Sequence, residues 1–384
     1  MKYLVLFPLN IIIVIIIAFL LSFLNISDFY DSNSFIDFIN ISIIIMIYYF
    51  GYKFLKNSNL FDIILNIYAL QNFGSQKKYK YPLIIGVSGF LIEFIVKGIP
   101  LFISGGRDDY TGVVIVHPMS YSLIIVAVAY ACTFSKSKDI FITFTVLFVL
   151  SILLLSRQMF MISIVIFFIT YFIRNTISLV KFIKTFLVLF FIFILFGYIG
   201  NIRQQLSGDY QQHYIYVIGG INKFGENFSD SFIWIWLYLV TPVYNLFANI
   251  NSYNLLKGNC NYNLVYGDCN GDFLSSVFVP NTILKYLNSE NFEIDLVVGH
   301  LNVGTGYAVA GRLFGMYGIS IQIILQIIIF YLGCRFYKND SKLIFLILFS
   351  AFSVFMIFDN LYTKGEFFFC FVVIFMMQYR FKIK

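Results

Sequence analysis

The sequence predicts an all-α polytopic membrane protein, with about 10–12 transmembrane helices and a large cap on the outer face. Three observations predict it. Apolar runs of roughly 20 residues, the length needed to cross a bilayer, recur along the 384 residues. Charged residues make up 12% of the chain, about half the share in a soluble domain. The charges also sort by side. With the N-terminus threaded inside, inner segments hold 17 of the 26 Lys and Arg but only 3 of the 19 Asp and Glu (Asp62, Asp139 and Asp340). Outer segments hold the other 9 basic residues and 15 acidic ones, and Glu93 lies within a span. This is the positive-inside pattern of an inner-membrane protein. The +7 net charge is therefore a topology signal and gives no reason to expect nucleic acid as a partner.

The expected spans are 3–24, 36–54, 82–101, 112–134, 139–156, 159–174, 183–200, 313–334, 342–358 and 366–379. The first is too long for a signal peptide and has no small-residue cleavage site, so it reads as a retained helix. The short run 60–70 reads as an amphipathic helix on the inner face. The run 231–250 is nearly long enough to cross, but Pro242 stands where it would break the hydrogen-bond ladder. A crossing there would also reverse the last three spans. It is read as a re-entrant or interfacial element within an outer cap, 201–311, inserted in a single membrane domain, 1–384. Trp234 and Trp236 suit a membrane–water boundary. Loops this long are usually functional or disordered. No internal repeat is visible, which weighs against an inverted-repeat transporter.

Cys132, Cys334 and Cys370 fall in apolar runs and read as small core residues. Cys260 and Cys269 lie in NCNYNLVYGDCNGD. Outside the membrane a disulfide is permitted, and no His stands nearby at metal-ligand spacing, so pairing is expected and no metal.

Several polar residues stand where an apolar bundle gives them no reason to be. Glu93 is a carboxylate inside a span, costly unless partnered; Lys97, four residues on, is the partner the spacing offers. Arg107, Asp108 and Asp109 follow Gly-Gly in a polar turn. His117 precedes Pro118 at the outer end of a span. Arg157 stands between two spans joined by a tight turn, Arg203 opens the cap, and Arg312 stands where the chain re-enters the membrane. Three arginines at one depth, on an otherwise acidic outer face, suit an anionic lipid headgroup, because the guanidinium fork stays charged and pairs with phosphate oxygens. Asp108, Asp109, His117 and His300 are the candidates for a general base.

The motifs GIPLF, IVHPMS, SRQMFM, GNIRQQ, TPVYNLF and NVGTGYAVAGRLFGMYG resemble those of the oligosaccharide repeat-unit polymerases, the Wzy-type O-antigen and capsule polymerases, over about 82–335. NVGTGY matches the family's Asn-x-x-Thr, which brings Asn302, Thr305 and Tyr307 into the candidate site, and FGMYG matches its aromatic-Gly-x-x-Gly. Arg312 stands three residues upstream of Gly315, near a position where the family usually has an acid. The resemblance implies a fold like the GT-C type of lipid-linked sugar glycosyltransferases. It implies a multi-pass protein of the bacterial inner membrane with its active site facing the periplasm. The implied reaction transfers a growing chain from undecaprenyl diphosphate to the terminal sugar of an incoming lipid-linked unit. No cofactor is implied. The implied partners are the undecaprenyl-diphosphate-linked oligosaccharide, membrane lipid and a chain-length regulator. His117 is favoured by the resemblance and His300 by its place in the cap. A lipid-linked oligosaccharide flippase and an O-antigen ligase are the alternatives; crowding of titratable groups at the outer interface favours an enzyme.

Overall fold

The structure is a computed structural model that describes residues 2–61, 77–103, 110, 112–175, 180, 183, 184, 187, 214–256, 273–284 and 294–380. In chain order its helices are α1 (Leu9–Ser22), α2 (Phe35–Asn57), α3 (Lys80–Lys97), α4 (Val116–Phe134), α5 (Ser137–Leu153), α6 (Arg157–Arg174), α7 (Tyr214–Ile218), α8 (Asp230–Leu256), α9 (Phe273–Phe278), α10 (Asn281–Leu284), α11 (Ala308–Phe336), α12 (Asn339–Val354) and α13 (Gly365–Arg380). Among the described residues, seven helical segments are long and apolar enough to cross a membrane; α1 and α13 are apolar and shorter. The protein is an all-α polytopic membrane protein. Each expected span coincides with a helix, except 183–200, which lies largely outside the described residues, as does most of 60–70. The proposed Cys260–Cys269 pair also lies outside them, while Cys132, Cys334 and Cys370 are buried free thiols.

The bundle is built around α4, which packs against α3, α5, α6, α12 and α13 and is buried on nearly every face. A helix apolar all round belongs inside a bundle. Alanines 127, 129 and 131 keep it slim, and Gly86 and Gly89 let α3 come close. A Cβ on Gly89 would fall 2.0 Å from the Ser120 hydroxyl, and one on Gly86 3.0 Å from Ile124. Small residues at a helix interface allow this approach where lipid supplies no hydrophobic drive between helices. Buried polar groups in the spans find partners. Asn10 of α1 donates to the Ser350 carbonyl of α12 at 2.6 Å and accepts from the Ser353 hydroxyl at 3.0 Å.

The two ends of the bundle differ. Where α4 and α6 finish, Lys78 pairs with Asp340, Tyr79 donates to Asp139 at 2.8 Å, and Arg174 donates to the Cys132 carbonyl at 2.8 Å. Lys78, Tyr79, Asp139, Arg174 and Asp340 belong to segments expected inside. Where α4, α6 and α13 begin lie His117, Ser156, Lys364 and Glu366.

Two elements depart from expectation. The segment 231–250 belongs to one helix, α8, that runs through Pro242 without a break. The cost of an interior proline, ~3 kcal/mol, is offset by burial of Val240, Val243, Leu246 and Phe247 against α1 and α11. Trp236 of this helix is buried and donates to the Leu21 carbonyl at 2.8 Å, so it is a packed core residue and not a boundary anchor. The second departure is α11, which folds back on itself. Phe314 (φ −138, ψ 16) and Gly315 (φ 56, ψ −143) leave the helical region. Beyond the turn, a Cβ on Gly318 would lie 2.3 Å from the Ala310 carbonyl oxygen, and Gln322 donates to the Gly306 carbonyl at 2.8 Å. Residues 8 and 16 apart are neighbours only if the chain has doubled back. The 306–313 arm is thereby tucked into the bundle, and the long arm then descends.

Candidate active site

The close approach of α3 to α4 sets the site. One turn beyond Gly89, Glu93 projects into the interface with no solvent exposure. It accepts a hydrogen bond from His117 Nδ1 at 2.8 Å and another from the Tyr110 hydroxyl. Its Oε2 is buried and has no hydrogen-bond partner among the described residues. Lys97, the partner that spacing offered, is exposed in the last turn of α3. Phe90 and Glu93 lie on the buried face of α3, while a lysine stem at a helix end reaches outward to water. The carboxylate therefore pairs across helices instead of along its own.

His117 is the second residue of α4, and Pro118 is tolerated beside it because the first turn needs no amide donor. The turn before α4 is tight. Ile115 has φ 69, a left-handed conformation that a β-branched residue rarely adopts. Gly112, also left-handed at φ 64, lies against the imidazole, where an added Cβ would be 3.0 Å from His117 Cβ and Cγ. Phe90, Tyr110 and Tyr121 surround the ring. With Nδ1 bound to the carboxylate, Nε2 is the nitrogen left for chemistry, the arrangement in which an acid fixes the tautomer of a catalytic base. Burial first, and then the bond to Glu93, push the Tyr110 phenol up, so it stays protonated as a donor.

The imidazole opens on a pocket of about 240 Å³ lined by Tyr110, Gly112, His117, Tyr121, Leu154, Ser156, Gln158, Lys364 and Glu366. Lys364 also pairs with Asp359. Arg157 stands between two lining residues at the first position of α6, where Ser156 caps the helix. The pocket thus unites a base, a carboxylate, an ammonium and an amide. Of its members the sequence reading singled out only His117, with Glu93 behind it. Tyr110, Tyr121, Gln158, Lys364 and Glu366 come from four separate segments, and no motif or spacing in the sequence links them.

His300 lies elsewhere. It lines a larger pocket of about 550 Å³ with Asn302, and the two pockets share no lining residue. Its Nε2 meets the Ile218 carbonyl at 2.8 Å. The segment 295–303 is held by two buried asparagines, one turn apart on α8. Asn245 accepts from the Val297 amide at 2.9 Å and donates to the Val303 carbonyl at 2.7 Å; Asn249 accepts from the Asp295 amide at 3.0 Å and donates to its carbonyl at 2.8 Å. These asparagines were missed in the sequence, although TPVYNLF contains the first. Thr305 and Tyr307 are buried away from both pockets: the Thr305 hydroxyl accepts from the Tyr307 amide at 3.3 Å, and the Tyr307 phenol bonds to Tyr48. Arg312 Nε lies 3.1 Å from Asp295 Oδ2. Arg157 adjoins two lining residues of the small pocket, and Arg312 pairs with Asp295 of the segment that continues into the lining of the large one. Arg107, Asp108, Asp109 and Arg203 lie outside the described residues. No cluster of metal-ligating side chains occurs among the described residues.

A family model described as "Putative O-antigen polymerase" matches residues 6–213. The match takes in Glu93, Tyr110, His117 and Arg157 and stops before the 302–318 block. Comparison with curated proteins and with solved structures finds no significant match.

Proposed function

This chain belongs to the O-antigen polymerase family, and on that premise we propose that it polymerises undecaprenyl-diphosphate-linked oligosaccharide repeat units by glycosyl transfer at the outer face of the inner membrane. The observation that supports this most is the Glu93–His117 pair, whose imidazole lines a polar pocket while the carboxylate lies buried behind it. His117 Nε2 takes the proton from the terminal-sugar hydroxyl of the incoming unit. That oxygen bonds to the anomeric carbon of the growing chain, and the bond from this carbon to the diphosphate breaks. Undecaprenyl diphosphate leaves with the electron pair. Glu93 holds the ring in the tautomer that accepts the proton and stabilises the imidazolium that forms. Lys364 and Arg157 stand where the departing diphosphate needs cations, and preorganised charge of this kind is worth ~2.7–4 kcal/mol per contact. Arg312, engaged by Asp295, serves the structure of the 295–303 segment in this reading.

The test is the surface-polysaccharide profile of a strain lacking the chromosomal copy and complemented with His117→Ala. The proposal predicts core carrying a single repeat unit, with normal protein abundance in the membrane. A full ladder would remove His117 from the reaction. A profile with no repeat unit at all in the deletion strain would point to a ligase or flippase.

A further inference from the structure

The 550 Å³ pocket, which the reaction above does not use, has the volume of a small-molecule site, for which ~300–1,000 Å³ is usual. Its floor is α8, one wall is α7, and the other is the 300–303 segment that Asn245 fastens by its bond to the Val303 carbonyl at 2.7 Å. Trp234 and Tyr238, one turn apart on α8, both line it; their rings stack with centroids 6.0 Å apart and planes at 28°. Tyr214 adds a third aromatic side chain. Around these faces are polar groups with capacity to spare: the exposed Asn302 amide makes no hydrogen bond among the described residues, and His300 is engaged through Nε2 alone. No Lys, Arg, Asp or Glu lines the pocket among the described residues. The small pocket, by contrast, holds Lys364 and Glu366.

This combination fits one ligand chemistry. The C–H face of a pyranose is apolar and slightly positive, and it lies well on the negative face of an aromatic ring, while its hydroxyls seek amide and imidazole partners at the edge. A diphosphate would find no cation among the described lining residues, and a prenyl chain would leave the Asn302 amide and the second His300 nitrogen unanswered. We propose that this pocket is a second saccharide site, separate from the His117 pocket, which holds a neutral stretch of the glycan while transfer proceeds at His117. The proposal rests on the polymerase reading for the identity of the glycan, and its test does not.

The chain has two tryptophans, Trp234 and Trp236, and Trp236 is buried beneath the pocket floor. In a Trp236→Phe variant, Trp234 is the sole indole reporter. The full-length variant, in a detergent without a sugar headgroup, is titrated with the repeat-unit oligosaccharide released from the host polysaccharide by mild acid, and in parallel with farnesyl diphosphate. A saturable change in indole emission with the oligosaccharide alone is expected. Asn302→Ala in the same background should shift the midpoint by about tenfold, and His117→Ala should leave it unchanged. No response to the oligosaccharide, or an equal response to farnesyl diphosphate, overturns the saccharide site. In cells, Asn302→Ala should shorten the modal polymer while His117→Ala abolishes it. Loss of polymer in His117→Ala without oligosaccharide binding at Trp234 would sink this site and leave the polymerase reading standing; binding at Trp234 with a wild-type ladder from His117→Ala would do the reverse.

Discussion

Glu93 is a carboxylate with no water contact, and its two donors both come from beyond its own helix, His117 from α4 and Tyr110 from the turn before it. A charge so placed is strongly destabilising when its partners are removed, by about 3–5 kcal/mol for a buried pair. The pair should also act as a unit in catalysis. General acid–base groups contribute typically 10²–10⁴-fold, so His117→Ala should slow polymer formation in isolated membranes by about that factor. Glu93→Gln keeps the shape and removes the charge; it should lose less than His117→Ala. The double variant should be no slower than His117→Ala, because the carboxylate works only through the imidazole. Multiplied losses in that cycle would mean that Glu93 acts on substrate independently. Arg157→Lys tests a different contact. A point charge replaces a planar fork, and a loss of about 100- to 1,000-fold for Arg157→Ala with little rescue by lysine is expected; full activity of both would make Arg157 a snorkelling anchor.

Helices α3, α8 and α11 each owe their placement to a few residues, and these differ in how legible they were. Apolar runs located the helices because burial in lipid demands length and composition. The fold-back of α11 was invisible to that reasoning, since the glycines of GMYG look like ordinary small residues of a span. Only backbone angles show that Gly315 must adopt φ 56. Gly315→Ala would strain that turn, at ~1–3 kcal/mol, and press a methyl group to 2.6 Å from the Tyr253 ring; a lower melting temperature of the purified protein checks this. Pro242 misled for a physical reason: propensity disfavours it in a helix interior, and tertiary packing overrode it. Asn245 and Asn249 escaped notice because asparagine in a helix ordinarily faces water. Asn245→Leu removes the partner of the Val297 amide and the Val303 carbonyl of the 297–303 segment, a loss of about 0.5–1.5 kcal/mol for each hydrogen bond. That segment should become cleavable by protease in the folded protein, while the Glu93–His117 end keeps its protection; unchanged resistance would show that the segment is held by other means.

Across the whole molecule, the polar contacts gather at two places. Lys78 with Asp340 and Tyr79 with Asp139 gather at one end, and the Glu93–His117 pocket opens at the other. The helical, polytopic character was legible because it follows from bilayer thickness and apolar run length, and seven helical segments among the described residues are long and apolar enough to cross. The pocket was not, because Tyr110, Gln158, Lys364 and Glu366 are distant in sequence and are united only by how α4, α6 and α13 begin. We expect 201–311 to lie outside throughout. Helix α8 meets the closing turns of α1 through Trp236 and Tyr244, and the first turns of α11 through Leu246 and Ile250, both of which the sequence reading places at the outer side. Reporter fusions at Ser207 and Tyr262 should therefore both report the outer side; opposite sides would make α8 a crossing. Glycosyl transfer at His117 can be followed by reconstitution. The purified chain in proteoliposomes is supplied with undecaprenyl-diphosphate-linked repeat units alone, and the products are resolved by size. A ladder of polymer is expected from the wild-type protein and unreacted single units from His117→Ala. An undiminished ladder from His117→Ala, or no ladder from the wild type, would contradict transfer at His117.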